Sequence, residues 1–104
     1  MLPKPNRFNF KSKLPKNTLN SQSFSIRYDI NEEGLKVGVV VSKKVDKRAV
    51  IRNRIKRVIL ETVRLNVKKE EGLTLIFYAK GAAVGNEGLA EEVKNKLFEI
   101  ASVA

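Results

Sequence analysis

KRAVIRNRIKRVILE, residues 47–61, carries two patterns at once. Six of its fifteen residues are Lys or Arg, and only the last is acidic. At ~100° per residue, Ile51, Ile55, Val58, Ile59 and Thr62 fall within one stripe. Arg52, Asn53, Lys56, Arg57 and Arg64 take much of the remaining circumference. Such a stretch reads as a helix with one side packed on a core and the other side charged. Asp46 is the expected N-cap, because its carboxylate oxygens suit the free N–H groups of a first turn. The helical pattern continues to about Val67, and KKEEG (68–72) ends it.

The flanking segments set this helix in a mixed fold. Upstream, SFSIRYDI (23–30) alternates, with Phe24, Ile26, Tyr28 and Ile30 on one face and Ser25, Arg27 and Asp29 on the other. That period predicts a half-buried strand. NEEG (31–34) reads as a turn, with Gly34 suited to positive φ. LKVGVVVSKK (35–44) predicts a second strand, expected to pair with the first as a hairpin and, from its Val-rich centre, to lie centrally. Downstream, LTLIFYA (73–79) is apolar almost throughout, as for a strand covered on both faces. KGAAVGNEG (80–88) reads as a loop. The stretch 86–103 predicts a final helix, with Leu89, Val93, Leu97 and Ile100 spaced for one face.

Residues 1–23 hold Pro3, Pro5 and Pro15, and proline biases its predecessor away from helix. The expectation is one domain over 1–104, with an irregular arm at 1–23 and a globular core at 24–104. The element order is strand, strand, basic helix, strand, helix. It predicts an α+β fold with a small mixed sheet and both helices on one sheet face.

Composition narrows the function. A hydrophobic content of 42% over 104 residues supports a folded domain rather than a disordered tail. The chain has no Cys and no His, so disulfides, thiolate metal sites and the commonest general base are missing. No apolar run approaches a membrane span and MLPKPNRF lacks a signal-peptide core, so a cytoplasmic protein with no membrane partner is expected.

The net charge is +10, and its distribution is one-sided. Residues 1–57 hold fifteen Lys/Arg against four Asp/Glu, whereas residues 58–104 hold six against seven. Such asymmetry predicts a polyanionic partner, nucleic acid first and an anionic membrane surface second. Eight basic residues and one acid lie between Lys43 and Arg57: Lys43, Lys44, Lys47, Arg48, Arg52, Arg54, Lys56 and Arg57, with Asp46. Held on a rigid helix, such cations keep a fixed spacing against phosphates at little ordering cost. Arg adds bidentate geometry, and Asn53 an amide donor and acceptor.

SKKVDKRAVIRNRIKR (42–57) resembles the protein subunit of bacterial ribonuclease P, marked by an Arg-Asn-Arg helix behind a Ser-Lys-Lys strand end. VVVSKKV, AVIRNRIKR and the later LIFYAKGAA all look like that family, and the likeness runs from about residue 24 to 100. The resemblance implies an α+β fold, ribosomal-protein-like, with a left-handed βαβ crossover. It implies a ribonucleoprotein that removes the 5′ leader from precursor tRNA. There the RNA subunit performs Mg²⁺-dependent hydrolysis, and the protein, inactive alone and without a cofactor of its own, binds that RNA and holds the leader. Carried onto this chain, the RNA-contact residues are Arg52, Asn53, Arg54, Lys56 and Arg57, with Lys43 and Lys44 beside them.

The chain also departs from the family pattern. Family members begin with a short helix bearing paired phenylalanines, and Pro15 falls where that helix is expected. Phe8 and Phe10 stand as its substitutes for leader binding. The first strand usually ends in a leader-contacting aromatic, and Arg27 takes that place, with Tyr28 next to it on the other face. Leu60 stands where the helix often carries another Arg.

Three rival functions compete with this reading. A protein nuclease would need clustered carboxylates and metal, but the acidic pairs Glu32–Glu33, Glu70–Glu71 and Glu91–Glu92 fall in loops or on a helix surface. A non-enzymatic RNA-binding protein, such as a ribosomal-protein-like module, would share the charge and much of the fold. A DNA-reading helix would have a second helix next to it at a tight turn, where a strand is expected here. Among the aromatics, Tyr28, Phe77 and Tyr78 are of a type that stacks on bases, and core packing is the expectation for Phe77.

Overall fold

A computed structural model describes residue 8 and residues 14–68 and 70–103. In chain order the elements are β1 (Asn17–Asn20), β2 (Phe24–Ile30), β3 (Lys36–Val40), α1 (Ala49–Asn66), β4 (Leu73–Ala79) and α2 (Leu89–Val103). A single 3-10 turn at Gly81–Ala83 interrupts the loop expected over 80–88. The strands form one mixed sheet in the order β1–β2–β4–β3. β2 pairs antiparallel with β1 and β4, while β3 pairs parallel with β4. β3–α1–β4 is thus a parallel βαβ unit with the basic helix as its crossover.

This order overturns the expected β2–β3 hairpin. β4 lies between the two strands, and the loop after β2 bridges the ~10 Å that separates second neighbours in a sheet. The apolar content of β4 explains the exchange. Leu75, Ile76 and Phe77 are fully buried, so both faces of that strand are covered and it takes an interior place. β3 is shorter than expected and lies at the sheet edge rather than at its centre. Part of the irregular arm is also a strand: Asn17–Asn20 pairs with Asn20↔Ser25 through Asn17↔Tyr28. With Leu19 as its one apolar residue, β1 is held by ladder hydrogen bonds more than by burial, and no alternation marks it.

The register assigns side chains to faces, since partners directly opposite share a face. Phe24, Ile26, Leu75, Phe77 and Val37 lie under both helices and form the core with Ile55, Ile59 and Val63 of α1 and Leu89, Val93, Leu97 and Ile100 of α2. Phe24 and Phe77 meet edge to face at 5.6 Å between centroids. The expected stripe on α1 holds, with Ile51 and Val58 at its partly buried margin.

Two glycines permit the turns around β4. Gly34 has φ of 105°, a left-handed value that costs a Cβ-bearing residue energy. At Gly72 a Cβ would stand 2.1 Å from the Asn31 carbonyl oxygen, so only glycine lets these two loops approach. The approach is used, because Asn31 N–H donates to the Gly72 carbonyl at 2.8 Å.

A polar knot closes the other end of the sheet. Ser23 N–H and Oγ donate to the Glu92 carboxylate at 2.8 and 2.9 Å, and Ser21 Oγ donates to it as well. Asn86 Nδ2 donates to Ser23 Oγ and to Glu92 at 2.8 and 3.1 Å. Burial pushes the Glu92 carboxyl up, but these hydrogen bonds outweigh it and hold the group below its ordinary value.

Candidate nucleic-acid interface

α1 begins at Ala49 with Arg48 as N-cap, and no side chain caps it. Asp46 therefore does not cap the helix as expected. It sits two residues too early, and its carboxylate instead accepts from Arg48 N–H at 2.8 Å and from the Arg48 guanidinium at 3.0 and 2.8 Å. The Arg48 side chain, then the Arg48 N–H, hold the Asp46 carboxyl down at about 2. The same pair raises the Arg48 guanidinium above its already high value.

Beyond this pair the basic residues separate into two groups. Lys43, Lys44, Lys47, Arg54 and Arg57 are exposed, as is the neutral Asn53 between the arginines. Lys56 is half-buried. Neither Arg54, Lys56 and Arg57 nor the three loop lysines have an ion-pair partner among the described residues. A groove of about 470 Å³ runs beside Asn53, Lys56, Arg57, Leu60 and Glu61. Arg52 is different. It was expected to point away from the stripe into solvent, but it is half-buried, and its Nη1 donates to the carbonyl oxygens of Asp46 and Lys47 at 3.1 and 2.7 Å. Helical side chains lean toward the N-terminus of their helix, which brings this one back over the preceding loop.

The residues carried over for leader binding do not come together as one set. Arg27 pairs with Ile76 and Thr18, on the sheet face away from the helices. Tyr28 lies on the other face and packs against the core, so packing accounts for it. Phe8 N–H donates to the Val37 carbonyl at 2.9 Å, which places residue 8 alongside β3. Phe10 lies outside the described residues. Phe77 is fully buried, as expected. The aromatic that shares a face with Arg27 is Tyr78, which pairs with Ser25 and stays half-exposed. Within LTLIFYA alternation is silent about faces, because nearly every residue is apolar. Only the pairing with β2 brings Tyr78 diagonal to Arg27.

The remaining carboxylates are spread over the fold. Glu32 and Glu33 follow β2, Glu70 and Glu71 precede β4, and Glu92 is engaged in the knot. Among the described residues no cluster of three Asp or Glu is placed to hold a metal ion, and no helix is long and apolar enough to cross a membrane.

Comparisons with known proteins agree with this architecture. The family model for ribonuclease P matches residues 2–101. The ribonuclease P protein component of Clostridium botulinum is 38% identical over 76 residues, covering 71% of this chain and 62% of that protein. That of Clostridium kluyveri is 53% identical over 53 residues, covering 48% of this chain and 46% of that protein. The matched stretches thus span about half to three-fifths of these relatives' lengths. A Staphylococcus aureus RNase P protein mutant with defective mRNA degradation activity superposes with a TM-score of 0.71 at 24% identity, covering 96% of this chain and 88% of that one. The RNase P protein from Thermotoga maritima gives 0.59 at 22% identity, covering 85% and 83%. At these identities the structures speak for the fold, and the sequence match over nearly the whole chain speaks for the family: the chain belongs to the ribonuclease P protein family.

Proposed function

We propose that this chain is the protein component of ribonuclease P, binding the RNA subunit and assisting removal of the 5′ leader from precursor tRNA. The observation that carries the reading is the outer side of α1. Asn53, Arg54, Lys56 and Arg57 stand on a helix anchored by Ile55, Ile59 and Val63, and the three cations among them form no ion pair among the described residues. Unpaired cations at fixed spacing are suited to a phosphate backbone, where neutralising each phosphate releases counterions. Lys43, Lys44, Lys47 and Arg48 extend the patch around the loop ahead of the helix.

The chemistry is assigned to the RNA, with Mg²⁺ bound and used there. The protein offers no His or Cys, and its described carboxylates sit apart or in structural hydrogen bonds. Leader contacts are assigned to the far sheet face, where Arg27 supplies charge and guanidinium stacking and Tyr78 supplies a ring. A ribosomal-protein-like RNA-binding module would share the basic helix but would not support precursor processing. The two are separated by adding the purified protein to a bacterial ribonuclease P RNA at low Mg²⁺ with precursor tRNA. Cleavage that needs both components is the expected result. Cleavage by the protein without RNA, or no stimulation of the RNA, would refute the assignment.

A further inference from the structure

The two arginines of the Arg-Asn-Arg triplet have different surroundings. Arg54 is exposed and has no ion-pair partner among the described residues. Arg52 is half-buried, with Nη1 committed to the carbonyl oxygens of Asp46 and Lys47. Those carbonyls precede the helix. The intrahelical ladder starts at Arg48, whose carbonyl accepts from Ile51 and Arg52 N–H, both at 3.2 Å. With no side chain capping α1, the guanidinium of Arg52 is what joins the first turns of the helix to the chain that leads into them.

That chain is the loop from Val41 to Arg48, and it carries three exposed lysines, Lys43, Lys44 and Lys47. Its other internal ties are local: Val45 N–H to the Ser42 carbonyl at 3.0 Å, and the Asp46–Arg48 pair. Val41 and Val45 tie this loop to the core, but Lys43, Lys44 and Lys47 are exposed and have no burial of their own to hold them, and each residue ordered on binding would cost conformational entropy. A charged donor bonded to two successive carbonyls is a strong way to order it beforehand.

We infer that Arg52 is a positioning residue. It fixes the path of residues 42–48 and hence the spacing at which Lys43, Lys44 and Lys47 meet the RNA, while Arg54 contacts the RNA directly. This rests on the RNA-interface reading above. It divides the triplet into one arginine turned toward the protein and one turned toward the ligand.

The test is a set of double-mutant cycles on the full chain, with a transcript of bacterial ribonuclease P RNA as probe. Arg52→Gln and Arg54→Gln are each measured in the native background and in one where Lys43, Lys44 and Lys47 are all changed to Gln. Arg52→Gln should weaken binding about tenfold in the native background and less than about twofold in the other, where nothing is left to position. Arg54→Gln should cost about tenfold in both. Arg52→Lys keeps the charge but loses the planar fork, and should follow Arg52→Gln. In the free protein, amide hydrogen exchange across 43–48 should quicken in both Arg52 variants and not in Arg54→Gln, with melting temperatures unchanged.

Equal losses for Arg52→Gln in the two backgrounds would make Arg52 a direct ligand and overturn the inference. So would full rescue by Arg52→Lys with exchange unchanged. A large drop in melting temperature for both Arg52 variants would make it a residue of the fold and overturn it too. If Arg54→Gln and the triple-lysine change also leave binding intact, the RNA-interface reading itself fails.

Discussion

The N-terminal ends of α1 and α2 solve the same electrostatic problem in opposite ways. A helix start carries partial positive charge from its unpaired N–H groups and is stabilised by acids. α2 supplies them, with Glu91 and Glu92 in its first turn. Glu92 then extends the favourable charge into tertiary structure, through Ser21, Ser23 and Asn86. α1 supplies none: its first turn has no acid, no side chain caps it, and four cations crowd residues 47–54. Asp46 is spent on Arg48. The free protein thus gives up helix-start stability at α1, and a polyanion placed there would restore it. One end holds the fold, and the other is the end proposed to hold a ligand.

The largest effect that would break this comparison is on RNA binding. Changing Arg54, Lys56 and Arg57 together to Gln should weaken binding to ribonuclease P RNA by roughly a hundredfold or more. The salt dependence should flatten by about 0.7–0.9 log units per lost phosphate contact. Thermal unfolding should hardly move, because these side chains lie outside the Ile55–Ile59–Val63 core. Filter binding across salt, paired with a melt, checks it, and an unchanged salt slope would place the interface elsewhere.

The next effect is the converse, stability without binding. Glu92→Ala removes the acceptor of three described donors from Ser21 and Ser23 and leaves Ser23 buried. The expected cost is about 2 kcal/mol after allowing for partial exposure. For a domain of this size that lowers the melting temperature by roughly 10 °C. RNA affinity measured well below the new melting temperature should stay near native.

Acid should act through the same knot. Because the folded Glu92 value is depressed, its stabilisation is fully present above the ordinary glutamate range. It is lost as pH falls below that range and through the lowered folded value. As pH falls from the ordinary glutamate range through the lowered folded value, native protein should lose more stability than Glu92→Gln, which has no carboxylate at that position to protonate. Parallel pH profiles for the two would show that the knot is not held by charge.

The smallest effect sharpens the comparison at α1 itself. Val50 is exposed in the first turn, and Val50→Glu gives α1 the acid that α2 already has. Stability should rise by about 0.3–1 kcal/mol at low salt, while RNA binding weakens. A melt and a binding isotherm on the same sample suffice, and a variant that gained in both would end the idea that the two demands conflict.

Much of this molecule was legible along the chain, because the signals concerned are local. Helical period, strand alternation and charge density are properties of neighbouring residues, and they placed α1, β2, β4 and the basic patch close to where they lie. The early placement of the N-cap has a local cause as well: Asp46 has the right chemistry, but Arg48 competes for it with a guanidinium and a backbone N–H.

Tertiary structure decided what no window of sequence contains. Strand order depends on which strand needs burial on both faces, so β4 displaced β3 from the centre. The faces of an all-apolar strand depend on register, so Tyr78 rather than Tyr28 joined Arg27. Arg52 and Arg54 are the same residue type two positions apart and equally cationic, with Arg52 nearer the buried side of α1 and Arg54 on the exposed side. It is the path of the loop before α1, which brings two carbonyl groups within reach of one guanidinium, that gives Arg52 its protein partners.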